Sequence, residues 1–166
     1  MSEGIVVRRA TTRDVAAIRT LVDQYQGVVL LEKATVTLYE DVQEFWVAEE
    51  DGRVLGCGAL HILWEDLGEI RTVAVDASAT RRGVGGLIVD RLIQQGRDVG
   101  IDRIFVLTFE TAFFASRGFH EIEGTPVTPE VYAEMRRSYD RGVAEFLDLS
   151  YVKPNTLGNT RMLLEL

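Results

Sequence analysis

Positive charge is scarce in this chain. Eighteen Lys and Arg stand against 26 Asp and Glu, for a net charge of −8 and a sequence pI of about 4.8. An acidic surface argues against nucleic acid or an anionic membrane as a partner. It also makes any local cluster of arginines conspicuous. Cysteine is scarcer still. Cys57 stands alone, which excludes an intrachain disulfide framework and a cysteine-rich metal site, so no metal is expected. No apolar run approaches the roughly 18 residues of a membrane span. The N-terminus lacks the apolar stretch of a signal peptide, and a cytoplasmic protein is expected.

What remains is an ordinary globular balance, 46% hydrophobic and 27% charged over 166 residues. That length suggests one domain, residues 1–166, able to bury a core without staples. "IVVRRA" (5–10) reads as a first strand. A helix should begin at "TTRD", where Thr11 and Asp14 have the spacing of a capping box, although the usual partner is Glu or Gln. Val15, Ile18, Leu21, Val22 and Tyr25 then share one helical face, and Gly27 is a plausible stop. A second, shorter helix is expected over 35–45. "FWVAEE" and "RVLGCGALHIL" read as strands joined across Asp51-Gly52, a strong hairpin signal. "EIRTVAV" (69–75) follows, making three antiparallel strands in a row.

An amphipathic helix is expected over 84–98 and a buried strand over 103–109. "TAFFASR" suggests a short helix, "GFHEIE" a strand, and 128–147 a mainly helical stretch. "TRMLLEL" closes the chain as a strand. The order implies a mixed α/β (α+β) fold, antiparallel at the start, with a βαβ unit in the middle.

The chemistry concentrates in "ATRRGVGG" (79–86), between an apolar run and an amphipathic helix. A helix N-terminus leaves backbone N–H groups unpartnered and carries about half a positive charge. Glycines let a ligand approach the backbone. Gly83, Val84, Gly85 and Gly86 would offer N–H groups to a phosphate, and Arg81 and Arg82 would add flanking charge. No Lys-Ser or Lys-Thr follows, so this is not a P-loop. The mid-chain position fits the Rossmann fingerprint poorly. The plainer alternative is a flexible turn with two solvated arginines.

"EIRTVAVDASATRRGVGGLIVDRLI", then "RIFVLTF" and "FFASRGF", together resemble the core of the GNAT superfamily of acetyl-CoA-dependent N-acetyltransferases. The resemblance spans nearly the whole chain, with its parts in order. It implies a central mixed sheet of about seven strands with helices on both faces. It also implies acetyl-CoA as co-substrate. The strand before the glycine turn would splay from the next parallel strand, the pantetheine arm would lie along Val73, Ala74 and Val75, and the turn would hold the pyrophosphate. Relatives often carry Gln or Arg three residues before the first glycine, where this chain has Thr80. Within the superfamily, "GCGALHILWEDLGEIRTVAV" most resembles the acetyltransferase domain of bacterial N-acetylglutamate synthases. The chain begins at its first strand, so it resembles their short, stand-alone form.

That resemblance implies an acceptor amine on a small amino acid, glutamate first and glutamine close behind. An α-amine with a pKa near 8 is only roughly a tenth neutral at pH 7, so a base is needed. Glu69 matches the Glu of the family's "GE" pair, to which that role is ascribed; the alternative is a surface Glu at a hairpin end. His61, on the preceding strand, is a rival base. A backbone N–H near Val73 is a candidate donor to the thioester oxyanion. Where many relatives place an acidic Tyr, this chain has Phe114. Thr108 is the candidate hydroxyl for the leaving thiolate, with strand capping as the alternative. Lys33, Arg71 and Arg161 are candidates for the acceptor's carboxylates. Cys57 is expected in the core. Exposed hydrophobics such as those of "EFLDLSYV" are candidates for a homodimer contact. Two other readings stay open: an amine drug, polyamine or protein terminus as acceptor, or a sensor that binds acetyl-CoA without turning it over.

Overall fold

The computed structural model describes residues 4–25, 34–150 and 158–166. Seven strands form one mixed sheet: β1 (Val6–Arg9), β2 (Phe45–Glu50), β3 (Arg53–Trp64), β4 (Leu67–Val75), β5 (Arg103–Thr108), β6 (His120–Glu121) and β7 (Thr160–Glu165), in the order β1-β2-β3-β4-β5-β7-β6. Among the described residues, only β4 and β5 pair in parallel. The helix between them, α3 (Val84–Val99), supplies the crossover such a pair requires. Along α3, Val84, Ile88, Val89, Leu92 and Ile93 are buried at helical spacing.

Helices cover both faces, as the resemblance implies. On one face α3 and α4 (Thr111–Ala115) pack on a cluster including Trp46, Leu60, Ile70, Val106 and Met162. On the other, α1 (Val15–Asp23) and α2 (Thr35–Glu40) pack over Val47, Cys57, Ala59 and Ala74. There too, α5 (Pro129–Met135) and α6 (Arg141–Phe146) pack over Leu63, Leu67, Phe105 and Leu163. Glycines set how closely α3 approaches. A Cβ at Gly58 of β3 would sit 2.7 Å from Ile88 Cγ2 and 3.0 Å from Leu92 Cδ1. Gly58→Val should therefore overpack this layer by about 1–3 kcal/mol. A thermal melt should fall by on the order of 5 °C.

Several boundaries differ from the sequence reading. The 35–45 helix breaks at Asp41 into α2 and a 3-10 turn over Val42–Glu44, and Phe45 joins β2. The 118–123 strand shortens to His120–Glu121. The 128–147 stretch is two helices, because Asp140 caps a new one: its carboxylate accepts the Val143 N–H at 2.9 Å. Gly27 lies outside the described residues.

The feature that matters most for function is a bulge in β4. Cys57 pairs with Ala74, but Ala59 pairs with Arg71, so Thr72 and Val73 oppose Gly58 alone. Thr72 takes up the extra residue at φ 57°. That conformation costs a β-branched residue on the order of 1–3 kcal/mol. The Cys57 thiol donates to the Thr72 carbonyl at 3.5 Å. Cys57 is fully buried, and burial pushes its thiol up to about 12, so it stays protonated to make that bond. The bulge flips side-chain alternation. Glu69 and Arg71 lie toward α6, whereas Val73 and Val75 pack with the α3 cluster.

Candidate active site

β4 and β5 pair only from Leu67–Glu69 against Arg103–Phe105. Both strands continue past that point, β4 to Val75 and β5 to Thr108, and they part. The opening leads into a cavity of about 380 Å³ lined by Glu69, Arg71, Thr72, Val73 and Val75 from β4, with Thr108, Gly85 and Asn159 among its other walls. Gly85 belongs to the first turn of α3, whose cap Gly83 adopts φ 80°. A Val side chain there would be strained, whereas glycine is at ease. Backbone N–H groups at a helix start thus open toward one end of the cleft.

Glu69 sits at the point of divergence and is 4% exposed. Arg71 Nε donates to its Oε1 at 2.7 Å. Burial nevertheless dominates, and the Glu69 carboxyl is raised above the ordinary range despite the attraction of Arg71. Arg71 reaches further: its Nη2 lies 2.8 Å from Asp140 Oδ1 as an ion pair, though without the alignment of a hydrogen bond. Asp140 is pushed up by burial, but Arg71's charge and contact outweigh this and hold it below its usual value. The guanidinium lies flat against α6. A Cβ at Gly142 would meet Arg71 Cζ at 2.4 Å. The sequence places Gly142 two residues after a helix cap, which permits that approach.

The two sides of the cleft carry different chemistry. Phe105 and Leu107 of β5 pack on the α6 side, and Val106 packs on the α3 side. By alternation Thr108 faces the α3 side, opposite Glu69. Its Oγ1 accepts the Glu110 N–H at 2.8 Å. The strand-capping role is therefore real, and it leaves the hydroxyl proton available for donation.

The other expected residues divide between the cleft and elsewhere. Val73, Val75 and Gly85 line the cleft, whereas Ala74 turns into the α1 layer. Val84 opens α3, and its side chain is buried in the core. Arg82 is held away by a bidentate pair with Glu50, at 2.9 and 2.7 Å. Arg81 is exposed at φ 67°. Arg161 does not line the cavity: it stacks 4.8 Å over Phe105 and donates to the carbonyls of Gly124 (2.9 Å), Glu145 (3.3 Å) and Phe146. Two of those are carbonyls at the C-terminal end of α6, where the helix dipole favours a cation. Arg161 is thus a C-terminal cap in this structure and Arg71 a partner of Glu69, rather than two open cations. Lys33 lies outside the described residues. His61 is paired across the ladder with Glu69, but its Nδ1 is bound to Glu44 Oε1.

Four neighbours were not read as site residues from the sequence. Asp140 carried a detectable signal, an Asp before a helical run. Tyr25 was read only as apolar helix face; its hydroxyl donates to the Val75 carbonyl at 2.5 Å, at the cleft. Arg117 lies over Phe113 at 4.3 Å, pairs with Asp90 at 2.9 Å, and covers Gly86, where a Cβ would meet its Nη2 at 2.3 Å. Asn159 had no local signal at all. Among the described residues, no group of three or more His, Cys, Asp or Glu could hold a metal, and no helix is long and apolar enough to cross a membrane.

Comparison with known proteins bears on this cleft. The family model described as acetyltransferase (GNAT) family matches residues 15–124. A Mycobacterium tuberculosis protein named amino-acid acetyltransferase is 70% identical over 164 residues, covering 97% of this chain and 94% of that one. A crystal structure from the same organism, in complex with CoA and NLQ, superposes with a TM-score of 0.95 at 70% identity, over 97% of this chain and 99% of that one. N-acetylglutamate synthase from Neisseria gonorrhoeae, complexed with coenzyme A and N-acetyl-glutamate, superposes with a TM-score of 0.77 at 25% identity; 98% of this chain matches 35% of that longer one.

Proposed function

Because the chain belongs to the acetyltransferase (GNAT) family, we propose that it is an amino-acid N-acetyltransferase that moves the acetyl group of acetyl-CoA to the α-amine of L-glutamate, the reaction that opens arginine synthesis. Acetyl-CoA is the co-substrate, in keeping with the CoA-bound relatives. The observation that carries the reading is the buried carboxyl of Glu69 at the fork of β4 and β5, on the face opposite α3. The coenzyme enters along the α3 side, with its pyrophosphate on the amides of Gly83–Gly86 and its pantetheine beside Val73 and Val75. The acceptor comes from the α6 side.

In this reading the ionised Glu69 takes a proton from the acceptor's ammonium, directly or through one water. The freed lone pair attacks the thioester carbon, and a new C–N bond forms. The carbonyl oxygen gains charge and is held by a backbone N–H near Val73, a donor typically worth about 3 kcal/mol of barrier. The tetrahedral centre then collapses, the C–S bond breaks, and the electron pair leaves on sulfur. Thr108, on the α3 side of the cleft, donates a hydrogen bond to the departing sulfur. With a thiol pKa near 8.5, the thiolate is a competent leaving group without a stronger acid. Burial tunes Glu69 for this work, because a carboxyl raised toward neutrality accepts a proton more readily than an ordinary one.

One observation favours a second acceptor, glutamine. Arg71 and Arg161 are both engaged by groups of the protein itself, and Glu69, Glu110 and Glu145 line the cavity. A neutral side-chain amide fits such walls more easily than a carboxylate. The deciding experiment supplies acetyl-CoA with each of the twenty amino acids and spermidine and follows thiol release. Glutamate should react fastest, or glutamine under the second reading. Equal rates for all amino acids, or a preference for spermidine, would overturn both.

A further inference from the structure

Asn159 is the residue in the cleft that the scheme above does not use. It directly precedes β7, whose first residue, Thr160, pairs with Thr108 at the end of β5. It lines the same cavity as Glu69, Arg71, Gly142 and Glu145. Its Oδ1 is shielded from solvent and has no hydrogen-bond partner among the described residues. A buried amide oxygen left unpaired costs about 1–3 kcal/mol, so native folds carry few of them, and one that faces a ligand cleft is free to meet a donor there. Alternation along β7 places Asn159 on the side of Leu163, which packs in the α6 cluster, and away from Met162 and Leu164 on the α3 side. It therefore belongs to the acceptor half of the cleft rather than the coenzyme half.

We infer that Asn159 is an acceptor-binding residue whose Oδ1 receives an N–H of the incoming amino group. The inference rests on the proposed amino-acid acetylation. A carbonyl oxygen can only accept, so the group it meets must be a donor. The acceptor's carboxylates have no proton to give, whereas its α-ammonium has three. One goes toward Glu69 and is removed, and Asn159 holds another. Two acceptors converging on one ammonium fix where its nitrogen lies, and therefore the angle from which the lone pair meets the thioester. A carboxylate at position 159 would compete with Glu69 for the same proton. A neutral acceptor avoids that competition. This gives a reason for an amide at position 159 rather than another acid.

The test compares Asn159→Leu and Asn159→Asp with the wild type in steady-state acetylation, and measures coenzyme A affinity separately by calorimetry. Asn159→Leu keeps the volume and removes the acceptor. It should raise the KM for the amino acid at least tenfold while leaving the coenzyme Kd within twofold. Asn159→Asp keeps an acceptor oxygen and should restore most of the affinity for the amino acid. An unchanged amino-acid KM in Asn159→Leu would overturn the inference, and so would loss of coenzyme binding in that variant. If Asn159→Asp were as weak as Asn159→Leu, the ligand would be presenting an acceptor rather than a donor, and the inference would also fail. A folded wild type that acetylates no amino acid would be a different failure, one that removes the proposed reaction itself.

Discussion

Glu69→Gln should lower kcat/KM for the amino acid by about 10²- to 10⁴-fold, the usual contribution of a positioned general base. Coenzyme A affinity should change little, because the side chain lies on the opposite side of the fork from α3. The substitution is nearly isosteric, and its amide can still meet Arg71, so folding should survive. The pH dependence separates catalysis from mere packing. Glu69 is held above the ordinary carboxyl range by burial, and only its ionised form accepts a proton. Wild-type kcat/KM should therefore rise with pH as Glu69 ionises, on top of the later rise from the acceptor amine. In Glu69→Gln the first limb should vanish and the amine's limb remain. His61, the rival base, is bound to Glu44, and its replacement by Gln should leave the first limb in place.

The second large effect is on stability. Arg71→Met should destabilise the fold by about 3 kcal/mol, the lower end of what breaking a buried ion pair costs. That corresponds to a fall in Tm of roughly 6–12 °C for a chain of this length. Arg71 is 10% exposed and bridges Glu69 and Asp140. Without it, two carboxyls face each other with no cation between them. The deficit should depend on pH in a definite direction. In the wild type Asp140 sits below its unfolded value, so its contribution is present above that value and is lost as pH falls through the folded one. Removing Arg71 raises both carboxyls in the folded state. The folded variant then binds more protons than the unfolded chain, and its stability falls as pH rises. The gap in Tm between wild type and variant should be larger at pH 8 than at pH 5. A gap that does not widen with rising pH would mean that the charge of Arg71 does not stabilise the two carboxylates.

Much of this site can be read from residue order. The glycines of 83–86 announce a helix start that can face a ligand, and Glu69 opens a strand beside it. The strand pattern also places Glu69 and Arg71 on one side, as the structure does. What alternation cannot reveal is the bulge. Thr72 adopts a positive φ that glycine would have signalled and threonine conceals. Past it, Val73 and Val75 turn to the other face, so the strand presents a carboxyl to one side of the cleft and an apolar wall to the other.

The charged residues were legible as charges but not as pairs. Arg82 finds Glu50, 32 positions away, and Arg161 finds the end of α6. Neither partner is local, so no spacing rule could name it. Asn159 is the extreme case. Its importance comes from being enclosed by β5, β7 and α6 together, which only the tertiary fold arranges.

The central physical claim is that the fork between β4 and β5, with the first turn of α3, receives the coenzyme. Amide hydrogen exchange read residue by residue, with and without saturating coenzyme A, tests it most directly. Protection should concentrate at residues 72–75 and 83–87, with β1 and β6 unchanged. Protection confined to other elements, or none at either segment, would contradict it.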